Sequence, residues 1–191
     1  RLARNRAEER SALSGPMLEA VRESLARLAA DSAVGCVVRT GTEPAFCAGG
    51  DVKAMAEGGE VEEDTREAMT QGLRQVMETS RLLHEMPKPT IAMIGGAAAG
   101  AGLSLALACD MRIAGEGAKF TTAFARVGYS GDFGGSYYLT NLVGTAKARE
   151  LYYTAALLGA EEAHALGMVN HVFPDDALRA DWASELEEVR L

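Results

Sequence analysis

The chain has 191 residues, 48% of them hydrophobic and 24% charged, the balance of one soluble domain with enough apolar surface for a single core. Its formal net charge of −8 argues against nucleic acid or an anionic membrane as the main partner, because both require a clustered basic surface. Three cysteines, Cys36, Cys47 and Cys109, show neither zinc-site spacing nor an even disulfide framework, so no metal site and a reducing, cytoplasmic setting are expected.

Ser14 is placed to cap a helix in which Leu18, Val21, Leu25 and Leu28 recur at helical spacing. A compact apolar run, Val34 to Val38, reads as a buried strand. Gly41 to Asp51 is turn-rich, and Glu57 to Asp64 is acidic and reads as an exposed connection. A long helix follows with Met69, Leu73, Val76 and Leu83 on one face, and Pro87 and Pro89 end it. Thr90 to Ile94 reads as a strand, Gly95 to Gly102 as a small-residue loop, and Leu103 to Ala108 as an apolar helix. Further on, Met111 to Ala114 and Met168 to Phe173 read as strands, and Thr145 to Ala156, Ala160 to Leu166 and Ala177 to Leu191 as helices. This alternation predicts an α/β fold. The longest apolar stretch, Ile91 to Cys109, is broken by four glycines and carries Ser104, so no membrane span is expected. No secretory signal opens the chain, and its abrupt start at Arg1 suggests a missing N-terminal part.

Two segments crowded with Gly and Ala follow predicted strands: Ala45-Phe46-Cys47-Ala48-Gly49-Gly50-Asp51, and Gly95-Gly96-Ala97-Ala98-Ala99-Gly100-Ala101-Gly102. Residues without bulky side chains let a ligand approach the main chain, where two convergent N–H groups stabilise an oxyanion. Either segment alone also fits a tight turn; the pair favours the chemical reading. A dinucleotide-binding fingerprint fails, because Gly100-x-Gly102 is followed by Leu105 where its third glycine belongs. A Walker phosphate loop is absent as well.

The segments Asn5 to Leu13, Ala45 to Lys53, Met86 to Ala92 and Leu105 to Ala114 together resemble the crotonase, or enoyl-CoA hydratase/isomerase, family. The likeness continues through Ala118-Lys119-Phe120, Gly134-Gly135, Leu142 to Ala148 and Gly167-Met168-Val169-Asn170. The resemblance implies a spiral of ββα units forming a core over residues 1–174, with 175–191 starting a C-terminal helical region. The family's trimerisation helices beyond Leu191 and its first strands are expected to be missing from this chain. It further implies a homotrimer or hexamer, an acyl-CoA thioester as substrate, no permanently bound cofactor, and an oxyanion hole made by the N–H groups of Ala48 and Ala101. Cys47, Ala48, Gly49, Gly50, Asp51, Lys53, Gly100 and Ala101 would line the coenzyme A side, with Lys53 the favoured phosphate contact and Lys88, Lys119 and Arg126 the other basic candidates.

Family hydratases carry glutamates where this chain has Ser104 and Phe124. Hydration needs two proton transfers, each worth about 10²–10⁴ in rate, so efficient hydration is not expected. Asp132, in Tyr129-Ser130-Gly131-Asp132-Phe133-Gly134-Gly135, matches a position where some family isomerases place a catalytic Asp, and one carboxylate suffices to shift a double bond. The alternative for Asp132 is a helix cap near Gly134. Two rival functions remain at this point. One is a serine hydrolase built from Ser104, Asp132 and His164; the other is a catalytically quiet protein that binds coenzyme A thioesters.

Overall fold

The computed structural model describes residues 2–3, 13, 15–41, 44–50 and 63–178. Strand β1 (Leu2–Ala3) is followed by helix α1 (Gly15–Ala30), whose residues Leu18, Val21 and Leu25 are buried as their spacing predicts. Next come β2 (Val37–Thr40), β3 (Ala45–Cys47) and the long helix α2 (Glu63–His84), against which α1 packs. Then follow β4 (Thr90–Ile94), β5 (Ala97–Ala99), α3 (Ala101–Leu107), β6 (Met111–Gly115) and β7 (Lys119–Thr121). A 3-10 turn (Phe124–Val127) leads to α4 (Gly135–Val143) and α5 (Thr145–Thr154). The last elements among the described residues are β8 (Leu158–Gly159), α6 (Ala160–Ala165) and β9 (His171–Phe173).

The strands form two sheets. One is wholly parallel in the order β1-β2-β4-β6-β9, and the other runs β3-β5-β7-β8 with only β8 antiparallel. Along the chain β2, β4 and β6 enter the first sheet while β3, β5 and β7, each just behind its predecessor, enter the second. Each strand pair plus the helix after it is one ββα unit, so the α/β spiral expected from the sequence is the fold.

The sequence motifs Cys109-Asp110-Met111-Arg112 and Met168-Val169-Asn170 tie these layers together. The Arg112 guanidinium is buried and donates to the Met168 and Cys109 carbonyls at 2.7 and 2.6 Å. Asn170 closes the link, its side chain accepting from the Arg112 N–H at 2.8 Å and its own N–H donating to the Arg112 carbonyl at 2.8 Å. The Asp110 carboxylate accepts from the Thr90 N–H at 2.7 Å, and Thr90 Oγ1 accepts in return from the Asp110 N–H at 2.9 Å. Such bonds satisfy polar groups that would otherwise be stranded in the interior.

Several boundaries differ from the sequence reading. Both small-residue segments contain a strand, Ala45–Cys47 and Ala97–Ala99, too short and too poor in β-branched residues to signal itself. Helix α3 begins at Ala101, two residues before the expected start. The strand expected from Val34 begins at Val37, because the Val34 N–H turns back to the Asp31 carbonyl. The strand expected from Met168 begins only at His171, because the Met168 and Val169 N–H groups both close the end of α6 on the Ala163 carbonyl. On α2, Leu83 is buried but Met69 and Leu73 are 56% and 46% exposed, so the apolar stripe reaches the core only at its C-terminal end. Ser14, Asp51, Lys53, residues 5–12 and 57–62, and the expected helix beyond Leu178 lie outside the described residues.

Candidate active site

The parallel pairing of β3 with β5, Ala45 opposite Ala97 and Cys47 opposite Ala98, sets the two small-residue segments side by side. Contact is close enough to demand small residues. A β-carbon on Gly49 would lie 2.9 Å from the Ala99 carbonyl oxygen and 3.5 Å from the Ala101 nitrogen, and one on Gly102 would overlap the Cys47 backbone. Cys47 is accordingly a fully buried wall residue. Gly100 adopts φ 52°, ψ −126°, a conformation that side-chain-bearing residues rarely reach. The first main-chain bond of α3 runs from the Ser104 N–H to the Gly100 carbonyl at 3.0 Å. Ala101, Gly102 and Leu103 precede it, so their N–H groups have no partner within the helix.

Phe124 and Ser104, which stand at the two expected glutamate positions, both border Gly100. The Phe124 ring lies 3.7 Å from the point a β-carbon on Gly100 would occupy, and Ser104 Oγ donates to the Gly100 carbonyl at 3.3 Å. Neither side chain is a strong base, and both are buried.

Tyr152 of α5 completes this wall, and nothing in the sequence reading singled it out. Its ring stacks on Phe124 with centroids 6.0 Å apart and planes 6° apart, and its hydroxyl and Ser104 Oγ both lie against Gly135, 2.7 and 2.2 Å from the point a β-carbon there would occupy. Burial pushes that hydroxyl up to about 12, with the charge of Asp132 adding to the shift and Ser104 opposing it. The loop that carries Asp132 packs against the same ring: a β-carbon on the neighbouring Gly131 would lie 3.0 Å from the Tyr152 ring.

Asp132 sits in a strained loop. Gly131 (φ 120°), Phe133 (φ 48°) and Gly134 (φ 71°) all take positive φ, and a bulky residue such as Phe133 seldom does. Strain of this kind costs on the order of 1–3 kcal/mol and persists where the surroundings impose it; here Phe133 is buried and anchors the turn. Burial raises the Asp132 carboxyl to about 6, and its buried Oδ1 has no hydrogen-bond partner. The helix-cap reading of Asp132 fails: α4 is capped by Gly134 with no side-chain cap bond, and Asp132 contributes only its carbonyl, to the Gly135 N–H.

The hydrolase triad is not assembled. Ser104 lies buried inside α3 with its Oγ donating to the Gly100 carbonyl, while His164, exposed on α6, meets the Val169 carbonyl through Nδ1 at 3.0 Å. The basic candidates also sort themselves. Lys88 donates to the Leu28 and Asp31 carbonyls at the end of α1, and Arg126 to the Ala155 carbonyl at the end of α5. Both are tied to helix ends rather than presented to a ligand. Lys119 is exposed and lines a cavity of about 730 Å³ whose other walls include the acidic pair Asp175 and Asp176. A second cavity, of about 580 Å³, is lined by Tyr129, Ser130, Ser136, Arg149 and Tyr152. Among the described residues no group of His, Cys, Asp and Glu could hold a metal ion, and no helix is long and apolar enough to cross a membrane.

The profile of the family described as enoyl-CoA hydratase/isomerase matches residues 2–190. Among curated proteins, the chain is 38% identical over 169 residues to YngF of Bacillus subtilis (strain 168), which is named for that family; the match covers 88% of this chain and 63% of that protein. It is 34% identical over 187 residues to 4-chlorobenzoyl coenzyme A dehalogenase-1 of an Arthrobacter species, covering 96% of this chain and 64% of the relative. The chain thus spans somewhat under two thirds of the length of these relatives. The crystal structure of enoyl-CoA hydratase from Bacillus anthracis superposes with a TM-score of 0.89 at 32% identity, covering 97% of this chain and 70% of that one. The chain belongs to the enoyl-CoA hydratase/isomerase family.

Proposed function

We propose that this family member binds an acyl-CoA thioester with its carbonyl oxygen between the N–H groups of Ala48 and Ala101, and that Asp132 moves a proton on the enolate so formed. Abstraction from the α- or γ-carbon leaves the electron pair delocalised onto the thioester oxygen, where two N–H donors stabilise it. Return of the same proton from the Asp132 carboxyl to another carbon shifts the double bond, and all atoms balance without a second catalytic group. Coenzyme A arrives with the substrate, and no resident cofactor is needed. The observation that carries this reading is the partly buried Asp132, its Oδ1 unpartnered, in a loop that packs against the Tyr152 ring. A carboxyl held at about 6 is a better base than an ordinary aspartate yet still ionised at neutral pH.

Efficient hydration is disfavoured by Ser104 and Phe124, which supply no second proton-transfer group. A homotrimer or hexamer, in a cytoplasmic setting, is the assembly this reading carries over from the family. The similarity to a dehalogenase named for 4-chlorobenzoyl coenzyme A supports a second substrate class, aryl thioesters, and the flat Phe124–Tyr152 stack beside Gly100 favours it.

Calorimetry with acetyl-, crotonyl- and benzoyl-CoA tests the proposal. Saturable binding of at least one thioester is expected. No binding of any up to millimolar concentration contradicts it, and binding of acetyl-CoA without proton exchange at its α-carbon would leave a quiet thioester-binding protein.

A further inference from the structure

We propose that the cavity lined by α4, α5 and the Asp132 loop receives the far end of the acyl group, and that Arg149 makes it select acyl groups ending in a carboxylate. This rests on the thioester reading above and names a substrate class for that same site.

Helical spacing builds the cavity. On α5, Thr145, Arg149 and Tyr153 stand four residues apart with Ala148 and Tyr152 beside them, and all five line it. Ser136 and Thr140, also four apart, line it from the adjoining helix α4, and Tyr129 and Ser130 from the loop. Its volume of about 580 Å³ lies within the range of small-ligand sites, roughly 300–1,000 Å³.

The lining suits an anion. Among the described residues it holds seven hydroxyl-bearing side chains, Arg149 as its one cation, and no carboxylate. Within a chain of net charge −8, that offers an acid a local cation and hydrogen-bond donors without a repelling neighbour. Arg149 also has no competing partner. The acid next to it, Glu150, is held by Lys147 at 2.7 and 2.8 Å, and no described residue pairs with Arg149 itself. Its planar guanidinium can meet a carboxylate through two parallel N–H bonds. Thr145 begins α5, so the positive end of that helix borders the same cavity.

Two shared features join the cavity to the reacting carbon. Tyr129 and Ser130 belong to the loop that carries Asp132. Tyr152 stacks by its face on Phe124, which borders Gly100, and meets Gly131 by its edge. An acyl group with its thioester at Ala101 and its α-carbon at Asp132 therefore carries its remaining carbons past Tyr152 toward Arg149, where a terminal carboxylate finds the cation and a terminal methyl finds no apolar wall.

Thioester pairs that differ only at the far end test this by calorimetry: adipyl- against hexanoyl-CoA, and glutaryl- against pentanoyl-CoA. The chain should bind the carboxylate member of at least one pair on the order of 10-fold more tightly at low salt, with the advantage shrinking as ionic strength rises, because Arg149 is exposed. Arg149→Met keeps an apolar stem and should abolish the preference, whereas Arg149→Lys should retain part of it; at an exposed position both variants fold. Equal binding within both pairs, or a preference that survives Arg149→Met, would overturn the inference. So would a loss in Arg149→Met that falls equally on both members of a pair, which would assign the cation to the phosphates of coenzyme A. No binding of any thioester would instead overturn the thioester reading, and this inference with it.

Discussion

The Ala48–Ala101 side of the site and the Asp132 side are built by opposite means. On the first, the proposed chemistry falls to backbone: Ala45–Cys47 pairs with Ala97–Ala99 across a register shift, Gly49 and Gly102 press against the facing main chain, and Cys47, Ala98 and Ala101 are buried. On the second, the proposed chemistry falls to one side chain in a loop with three positive φ angles, flanked by exposed Tyr129 and Ser130, its carboxyl lacking a partner at Oδ1. The backbone side is part of the fold's stability. The carboxylate side is a local cost that the fold sustains.

The largest expected effect follows from what the second side lacks. Hydration of crotonyl-CoA, read as loss of enoyl absorbance, should be at least on the order of 10² slower than for a two-glutamate family member, because Ser104 and Phe124 transfer no proton. A turnover near that of such an enzyme would show that the two sides hold another acid and base.

Gly100→Ala probes the backbone side. Space is available, but φ 52° with ψ −126° is not, so a loss of about 1–3 kcal/mol is expected in chemical denaturation, together with loss of activity as the Ala101 N–H swings away. Unchanged stability would mean that this turn is not the fixed element described here.

The smallest effect is in pH, and it separates activity from stability. Asp132 is a base only when ionised, so exchange should rise through about pH 6 and then level off. Stability runs the other way. Between the ordinary 3.8 and about 6 the folded chain keeps a proton that the unfolded chain has released, so the Asp132 penalty is absent below this window and fully developed above it. Melting temperatures should therefore favour Asp132→Asn over the wild type above pH 6, and a less stable variant there would indicate a structural role for the carboxylate.

The same contrast explains what could be read from the sequence. Close approach of two backbones leaves a compositional mark, so the Ala/Gly segments could be found by inspection, and the helical stripe of α1 and the breaks at Pro87 and Pro89 were equally plain. The strands inside those segments left no periodicity because three residues are too few to show one, and in Ala97–Ala99 all three are alanine. Asp132 was reached only through the family resemblance, since one acid in a glycine-rich turn looks the same as a cap until its surroundings are seen. Tyr152 left no signal at all: it stacks on Phe124 and lies near Ser104, residues 28 and 48 positions away. Lys88 and Arg126 misled for a related reason, because a sequence shows a charge but not the helix end that absorbs it.

The central claim is that Asp132 moves the substrate proton while the backbone holds the enolate. Deuterium uptake at the α-carbon of a bound saturated acyl-CoA in heavy water, followed by mass spectrometry for the wild type and Asp132→Asn, tests it most directly. The account predicts exchange in the wild type and a fall of about 10²–10⁴ in the variant, with thioester binding retained. Exchange that survives in Asp132→Asn would contradict it.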